Sequence, residues 1–302
     1  MKNKFDTITS VFPPTTVAAT TSVLTGKYPC ETGWLGWRGY FMDQDAIVDM
    51  FNSNITATST VLTPTTWERY PVKHLKDYIN EKYNEECAVN LMGHTMFEHG
   101  KYDAKVFFSK VDDAIKHGYK YIYAYYPDPD ATLHGCGNYS KETSNTIKSI
   151  NDNLEQLVKN NPDVLFISIA DHGHIDIKLC SLDEHSDLYD TLATPYFCEA
   201  RAGMINIKKG REKEFEKLFD KYYKEHFELY SKKEIVEKQI FGYSTNYCHD
   251  YDKILGDYLM VSKDEYTLFF ENYDSSGMLS THAGGTEREG LINISCLLYT
   301  SD

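Results

Sequence analysis

The sequence lacks several features that would place it in common protein classes. Its 302 residues contain no apolar run of about 18 residues, so we expect no membrane-spanning helix. Met1–Thr9 lacks the apolar centre of a secretory signal, and we therefore expect a cytoplasmic protein. Lys and Arg number 31 against 45 Asp and Glu, which gives a net charge of −14. Because nucleic-acid surfaces need clustered basic side chains, this balance argues against stable nucleic-acid binding.

Disulfide and familiar catalytic motifs are also missing. The seven cysteines are odd in number and scattered, with no Cys-x-x-Cys pair, which favours reduced thiols over a disulfide framework. The chain has no Gly-x-Ser-x-Gly elbow of the serine hydrolases. A phosphate-binding P-loop at Gly26-Lys27 is excluded, because Thr21 stands where its first glycine is required and Tyr28 replaces its Ser or Thr.

What the sequence does contain is an alternation of apolar runs and helical patterns. Short runs rich in β-branched and aromatic residues predict strands at Ala57–Leu62, Cys87–Met92, Tyr121–Tyr126 and Val164–Ala170. Amphipathic patterns predict helices at Val72–Tyr83, Ala104–His117 and Tyr139–Asn160. Strands alternating with helices imply an α/β fold with a mostly parallel central sheet flanked by helices. Ligands of such sheets bind beyond the carboxyl ends of the strands.

A region near residue 200 has a different character. Met204–Ile207 resembles a strand, and two helical patterns rich in Lys and Glu follow at Lys209–His226 and Lys232–Gln239. We interpret residues 196–258 as a small inserted α+β subdomain. The main domain would then comprise residues 1–195 and 259–302.

Two motifs with metal-ligand side chains follow predicted strands. Asp171 and His172 end a buried run and precede Gly173, which permits a tight turn. Asp130 and His134 are four residues apart, so a helical turn would place them on one face. Either motif could be an ordinary polar turn, but both combine carboxylate and imidazole donors suited to a divalent cation.

Two further positions complete the set. His282 lies in a Gly-rich loop, where a histidine is free to point at a ligand or simply to be exposed. Thr16 follows Pro13-Pro14 and opens a predicted helix of small residues. The N-terminus of a helix favours an anion such as phosphate, although ordinary capping by threonine would give the same pattern.

In the order Thr, Asp-x-x-x-His, Asp-His-Gly, His, these residues resemble the type I phosphodiesterase/nucleotide pyrophosphatase family of the alkaline phosphatase superfamily. The segment Thr25–Pro29, with Gly33 beyond it, resembles the family's TGxYPxxHG element. Glu199-Ala200-Arg201 resembles its ExRA motif, and Leu255-Gly256-Asp257 resembles its LGD motif. The resemblance extends over nearly the whole chain.

The resemblance implies a role for each position. Thr16, nine residues before Thr25, would be the nucleophile and form a covalent phosphothreonine. One divalent ion would be held by Asp130, His134 and His282, and a second by Asp171, His172 and the Thr16 oxygen. Two zinc ions and a small phosphate ester or nucleotide substrate are implied.

Departures from the family pattern leave alternatives open. The family begins with a strand ending in Asp, which this sequence does not show, so we expect an N-terminal truncation and an incomplete second metal site. Cys296–Asp302 resembles translated adapter sequence. A phosphomonoesterase, a phosphonate hydrolase or a catalytically impaired metal-binding fragment therefore remains an alternative. A sulfatase is excluded by the absence of a CxPSR-like motif. The pattern His172-x-His174-x-Asp176 also fits the start of a metallo-β-lactamase signature, but Ile177 stands where that signature needs histidine.

Overall fold

A computed structural model describes residues 2–93, 103–270 and 275–298. The described residues form twelve helices: α1 Thr16–Thr25, α2 Pro29–Thr32, α3 Thr66–Arg69, α4 Leu75–Tyr83, α5 Ala104–His117, α6 Asp130–Cys136, α7 Lys141–Asn160, α8 Ser186–Tyr189, α9 Glu212–Tyr222, α10 Lys232–Glu237, α11 Tyr251–Ile254 and α12 Glu287–Gly290. They also form sixteen strands: β1 Lys2–Thr9, β2 Arg38–Phe41, β3 Ala46–Asp49, β4 Asn54–Ile55, β5 Ala88–Met92, β6 Tyr121–Tyr125, β7 Phe166–Ile169, β8 Ile175–Asp176, β9 Lys178–Cys180, β10 Phe197–Cys198, β11 Ala202–Ile205, β12 Phe227–Ser231, β13 Tyr258–Ser262, β14 Tyr266–Leu268, β15 Ser280–Thr281 and β16 Leu291–Leu298.

The α/β class is confirmed, but the described strands pair mostly antiparallel, so the expectation of a mostly parallel sheet is wrong. β5 and β6 pair in parallel through the crossover helix α5, as the alternating pattern predicts. β9 and β14 are also parallel. β16, however, runs antiparallel to both β1 and β7 and separates them. The late strand β16 thus enters the sheet between two strands that run parallel to each other, an arrangement that local sequence patterns do not encode.

Local signals explain the helices that flank the β5–β6 pair. The Asp103 carboxylate caps α5 by accepting hydrogen bonds from backbone N–H groups of its first turn, and Gly118 ends the helix in the left-handed region at φ +98°. The Ser140 side chain caps α7 in the same way. The two helices bury Phe107, Val111 and Leu157 in a shared apolar cluster.

Most predicted elements of this part of the chain are present. The helix at 104–117 has the predicted bounds, and those predicted at 72–83 and 139–160 begin two or three residues later. The strand predicted at Ala57–Leu62 is wrong. That segment contains a turn with Ser59 at φ +57°, and only an isolated bridge joins Val61 to Asn54. Val61 is 57% exposed, so its β-branched side chain has no buried sheet face to occupy.

A seven-stranded sheet in the order β12-β13-β11-β10-β2-β3-β4 contains the strand predicted near 204. The charged helices predicted at 209–226 and 232–239 are present in shorter form as α9 and α10. Because β2–β4 and β13 belong to the same sheet, it includes strands from both sides of the proposed 196–258 boundaries. The division into a main domain and an insert stays a prediction.

Two apolar clusters cover the faces of this sheet. One contains Phe215 and Phe219 of α9, and the other contains Ile235 of α10 together with Phe241. In the part of the chain that the structure describes, no helix combines the length and apolar character needed to cross a membrane.

Candidate metal centre

Three chain segments converge on one group of donor atoms. Asp130 and His134 lie on α6, which follows the carboxyl end of β6. His174 follows β7 by five residues, and His282 comes directly after β15. One ligand atom from each of these four residues lies within 4.8 Å of every other. The position beyond the strand ends is the one expected for a ligand site in an α/β fold.

Asp130 is the focus of this group. Its Oδ1 atom lies 2.7 Å from His174 Nε2, 3.3 Å from His134 Nε2 and 3.7 Å from His282 Nε2. The side chains of the three histidines are 21% exposed or less. One carboxylate oxygen and three imidazole nitrogens therefore face a single small, largely buried volume.

Hydrogen bonds to Ser280 fix which nitrogen of two histidines carries the proton. The backbone carbonyl of Ser280 accepts from His134 Nδ1 at 2.8 Å, and a carbonyl can only accept. The Ser280 hydroxyl donates to the Leu133 carbonyl at 2.8 Å, so it accepts from His174 Nδ1 at 3.0 Å. In the neutral form of each ring, Nε2 therefore directs a lone pair at the Asp130 carboxylate, whereas in the protonated form it donates a hydrogen bond to that carboxylate.

A nitrogen lone pair and a carboxylate oxygen repel each other unless a cation or a proton lies between them. Outer hydrogen bonds that fix the tautomer of a histidine are typical of protein metal sites. His282 Nδ1 is buried and has no hydrogen-bond partner among the described residues. This mixed oxygen and nitrogen donor set fits a divalent cation such as zinc.

A second group surrounds Thr16 at the first position of α1. Thr16 Oγ1 lies 3.1 Å from His172 Nε2. His172 Nδ1 lies 3.0 Å from the Gly173 carbonyl, which can only accept, so Nε2 is left to accept a proton or to bind a cation. Asp171 Oδ2 is 3.6 Å from the same Nε2 atom. Thr16, His172 and Asp171 thus form a second set of donors at a helix N-terminus.

The two groups are neighbours. The rings of His172 and His282 stack with centroids 3.8 Å apart, and His172 Nε2 is 4.0 Å from Asp130 Oδ1. A hydroxyl at Thr16 and the Asp130 group therefore face one common space.

Burial and charge set the protonation states at this site. Burial raises the pKa of Asp130, but contacts with His134 and His174 outweigh it and hold that pKa well below its ordinary value. Burial, aided by neighbouring histidines, lowers the pKa of His282 well below its ordinary value. The carboxylate is therefore charged and His282 is neutral, which are the forms that bind metal ions.

Tyr125, at the end of β6, is a further polar group of the site. Its hydroxyl lies 3.5 Å from Asp171 Oδ2. Burial raises the pKa of Tyr125, so its hydroxyl stays protonated and can act as a donor.

Trp34 does not belong to the site. It is fully buried and donates its indole N–H to the Tyr70 carbonyl, which assigns it to the core.

Glu199 supports the segment that carries Thr16. Its Oε1 atom accepts a hydrogen bond from Thr15 Oγ1 at 2.7 Å and from the Trp37 backbone N–H at 2.6 Å. Thr15 is the residue before α1, and its side chain bonds to Glu199 instead of capping the helix. This contact fixes the backbone next to Thr16.

A buried ion pair supports the histidine loops from the other side. Arg201 and Glu289 have fully buried side chains and are joined by two hydrogen bonds, at 2.6 and 3.0 Å. Glu289 also accepts the Gly284 N–H at 2.7 Å through its side chain and the Gly173 N–H at 2.9 Å through its carbonyl. The pair therefore anchors the loops on both sides of the donor groups.

All six residues predicted for the site lie together. Asp130, His134 and His282 form one group, and Asp171, His172 and Thr16 form the other. Their roles as metal ligands and nucleophile stay predictions. His174, which the sequence presents only within a rival motif, belongs to the Asp130 group. Its position two residues after His172 is the signal that could have found it.

The whole chain, and not only its site, matches a known family. The family model for type I phosphodiesterase/nucleotide pyrophosphatase matches residues 2–286. The chain belongs to this family. No curated protein matches it at a significant level.

Solved structures share the fold. Murine ectonucleotide pyrophosphatase/phosphodiesterase 5 (ENPP5) superposes with a TM-score of 0.69 at 15% identity, covering 95% of this chain and 78% of that one. An inactive murine ENPP5 in which a threonine is replaced by alanine, in complex with AMP, gives a TM-score of 0.67 at 15% identity, with the same coverage. Human ENPP5 gives 0.67 at 16% identity, covering 96% of this chain and 78% of that one.

Family membership assigns the chemistry in outline. The chain is a hydrolase acting on phosphoric ester bonds, with an alkaline phosphatase-like α/β fold. The family is metal-dependent, and the cluster of Asp130 and three histidines is a possible metal site.

Proposed function

We propose that this chain hydrolyses phosphodiester or pyrophosphate bonds of nucleotides through a covalent intermediate on Thr16, with two divalent ions, zinc in both sites. The observation that carries the proposal is the position of Thr16. Its hydroxyl opens α1 and lies 3.1 Å from the unprotonated nitrogen of His172. The Asp130 group lies across the same space.

The chain's own residues account for the steps of a two-stage displacement. The Thr16 oxygen attacks phosphorus, a new O–P bond forms, and the bond from phosphorus to the leaving oxygen breaks. The hydroxyl proton leaves to solvent water, because the Nε2 lone pair of His172 would be used to hold the ion nearer Thr16. A water molecule then attacks phosphorus and breaks the bond to Thr16, which regains its proton.

Charge stabilisation at the phosphoryl group has two sources. The first-turn N–H groups of α1 can donate to an anion at Thr16, and the positive end of the helix dipole also stabilises negative charge there. Bound divalent ions would lower the pKa of the threonine hydroxyl and offset the negative charge on the phosphoryl oxygens. Asp171 and His172 would hold the ion nearer Thr16, and the Asp130 group would hold the other.

Nucleotides are the proposed substrates because an inactive murine ENPP5 of the same fold is in complex with AMP. Trp37 supports this choice. Its backbone N–H donates to Glu199, which also accepts a hydrogen bond from the residue before Thr16, and Trp37 is 39% exposed. An exposed indole next to the site can stack on a nucleobase.

The decisive test compares Thr16→Ala with Thr25→Ala in the metal-loaded chain, using a nitrophenyl phosphodiester and a dinucleotide. Both changes remove one threonine hydroxyl from α1, but Thr25 is at the far end of the helix and bonds to the Thr21 carbonyl. We expect Thr16→Ala to lower kcat by roughly a thousand-fold or more, because the covalent step is lost. Thr25→Ala should retain most of the activity.

Trapping separates the proposed mechanism from its alternatives. Acid quenching during turnover should leave a phosphoryl group on the peptide that contains Thr16. Turnover without such a group, or equal activity of the two variants, would refute the nucleophile. Faster cleavage of nitrophenyl phosphate or a phosphonate than of diesters would assign the chain to a phosphomonoesterase or phosphonate hydrolase. Metal binding without turnover would assign it to a catalytically impaired binding protein.

A further inference from the structure

We infer that His174 is a fourth protein ligand of the ion at Asp130, so that Asp130, His134, His174 and His282 form a closed site of one aspartate and three histidines. The inference rests on the metal dependence of the proposed function and is independent of the role of Thr16. It changes the expected chemistry of the site, because a closed site has no position left for water or substrate.

The distances from Asp130 favour a four-ligand arrangement. A tetrahedral zinc ion with ligands at about 2.0–2.1 Å has ligand-to-ligand edges of roughly 3.3 Å. The three edges from Asp130 Oδ1 measure 2.7 Å to His174, 3.3 Å to His134 and 3.7 Å to His282. His174 is the nearest of the three, so an ion bound by Asp130 and the other two histidines would lie within reach of its Nε2.

The orientation of His174 is that of a ligand. Its Nδ1 donates to the Ser280 hydroxyl, whose own proton goes to the Leu133 carbonyl. In the neutral ring Nε2 is therefore the bare nitrogen, and at 2.7 Å from the carboxylate oxygen it would be repelled unless a cation or a second proton lies between the two atoms. The His174 side chain is 4% exposed, so water cannot relieve that contact.

His226 shows what an ordinary histidine–carboxylate contact looks like in this chain. His226 Nδ1 lies 2.7 Å from Asp264 Oδ2, the same separation as between His174 and Asp130. Its side chain is 26% exposed and its ring stacks on Tyr266. His174 shares its carboxylate with two further histidines, whereas His226 belongs to no cluster of three or more potential metal ligands among the described residues.

If the Asp130 site is closed, the ions at the two donor groups have different roles. The ion at Asp130 would be held firmly and would act on the reaction through its charge. Any position open to water or substrate would then belong to the group of Thr16, Asp171 and His172, which offers fewer protein donors. Binding of phosphate should therefore perturb that second group and leave the Asp130 ion's ligands in place.

Cobalt titration of the whole chain tests this directly, in an Asp171→Asn background that weakens the other group. The parent should bind one Co²⁺ with the intense visible absorption of a four-coordinate ion, unchanged by inorganic phosphate. His174→Gln, which keeps a side chain able to contact Ser280, should bind more weakly by more than the roughly 10- to 100-fold typical of outer-sphere partners. Its spectrum should be weaker and should respond to phosphate.

Two further variants calibrate the result. His134→Gln removes another member of the set and should weaken Co²⁺ binding, whereas His226→Gln should match the parent. Equal affinity and spectrum for His174→Gln and the parent, with His134→Gln weakened, would overturn the inference. Absence of saturable binding in every protein, including the parent, would also overturn the metal dependence of the proposed function.

A measurement without a His174 variant covers the case in which His174→Gln does not fold. In the same background, nitrogen NMR of labelled histidines should show three Nε2 signals shifting on addition of one equivalent of zinc. Two shifted signals would assign only His134 and His282 to the ion and refute the four-ligand site.

Discussion

The buried pair of Arg201 and Glu289 offers the sharpest stability prediction. Arg201 donates to both carboxylate oxygens of Glu289 and also to the Tyr266 and Asp264 carbonyls and the Thr267 hydroxyl. Both side chains are completely buried. Replacing Arg201 with Met removes all of these donors and leaves a carboxylate without its counter-ion in the interior.

The size of the effect follows from burial. Removing one partner of a buried ion pair costs about 3–5 kcal/mol, because the other charge is left uncompensated. An unfolding entropy of about 2.1 cal/mol/K per residue gives about 0.6 kcal/mol/K for a chain of this length. The Tm of Arg201→Met should therefore fall by roughly 5–8 °C.

The paired replacement should behave differently. Changing Glu289 to Leu together with Arg201→Met removes both charges, so the double variant should be more stable than either single variant. Arg211→Met is the matched control. Its partner Glu214 is 49% exposed, and water screens that pair, so Tm should hardly change.

The assay is calorimetric or denaturant unfolding of the metal-free chain, followed by zinc affinity of each variant. Glu289 accepts the Gly284 N–H, two residues after His282, so its loss should weaken zinc binding as well. The reasoning would be refuted if either single variant lost no more free energy of unfolding than the Arg211 control. It would also be refuted if the loss in the double variant equalled the sum of the two single losses.

Three further predictions concern the support of the site. Ser280→Ala removes the hydroxyl that orients a histidine and should weaken zinc binding roughly 10- to 100-fold, whereas Ser22→Ala, whose buried hydroxyl has no partner among the described residues, should not. Burial raises the pKa of Glu199 from 4.5 to about 7. Between pH 4.5 and about 7, the metal-free folded chain therefore keeps a proton on Glu199 that the unfolded chain releases. Its stability should therefore fall by roughly 3 kcal/mol as pH rises through that window, and Glu199→Gln should flatten this slope in unfolding curves; a parallel slope would contradict it. Gly173→Ala places a Cβ 1.9 Å from a backbone oxygen of α12 and should lower stability by more than about 1 kcal/mol, whereas Gly135→Ala, with open space around it, should not.

The four candidate metal ligands that follow β6 and β7 could be predicted from the sequence, because each pair comes after a recognisable strand. Asp130 and His134 come after the apolar run of β6, and Asp171 and His172 come after β7. The carboxyl ends of strands in an α/β fold meet at one edge, so residues far apart in sequence can be assigned to one place. The order of these residues then carried the family resemblance, which implied a role for each of them.

Other parts of the site depend on contacts that local sequence patterns do not reveal. The position of β16 between β1 and β7 depends on pairing across most of the chain. The contact between Arg201 and Glu289 spans 88 residues, and neither side chain shows burial in its own sequence context. His174 stands in a loop without periodicity, and its position two residues after His172 is its one local signal; its distance from Asp130 assigns it to that donor group.

Ser280 links these long-range contacts to the metal chemistry. Its carbonyl and its hydroxyl orient His134 and His174, and β15, to which it belongs, pairs with β8 directly after the loop of His172. A single short strand pairing therefore places two imidazoles with the correct nitrogen toward Asp130. Because this arrangement depends on residues about 150 positions apart, the unfolded chain cannot present it, and zinc should bind the folded state selectively. Each contribution to metal affinity at this site would thus also stabilise the metal-bound folded state.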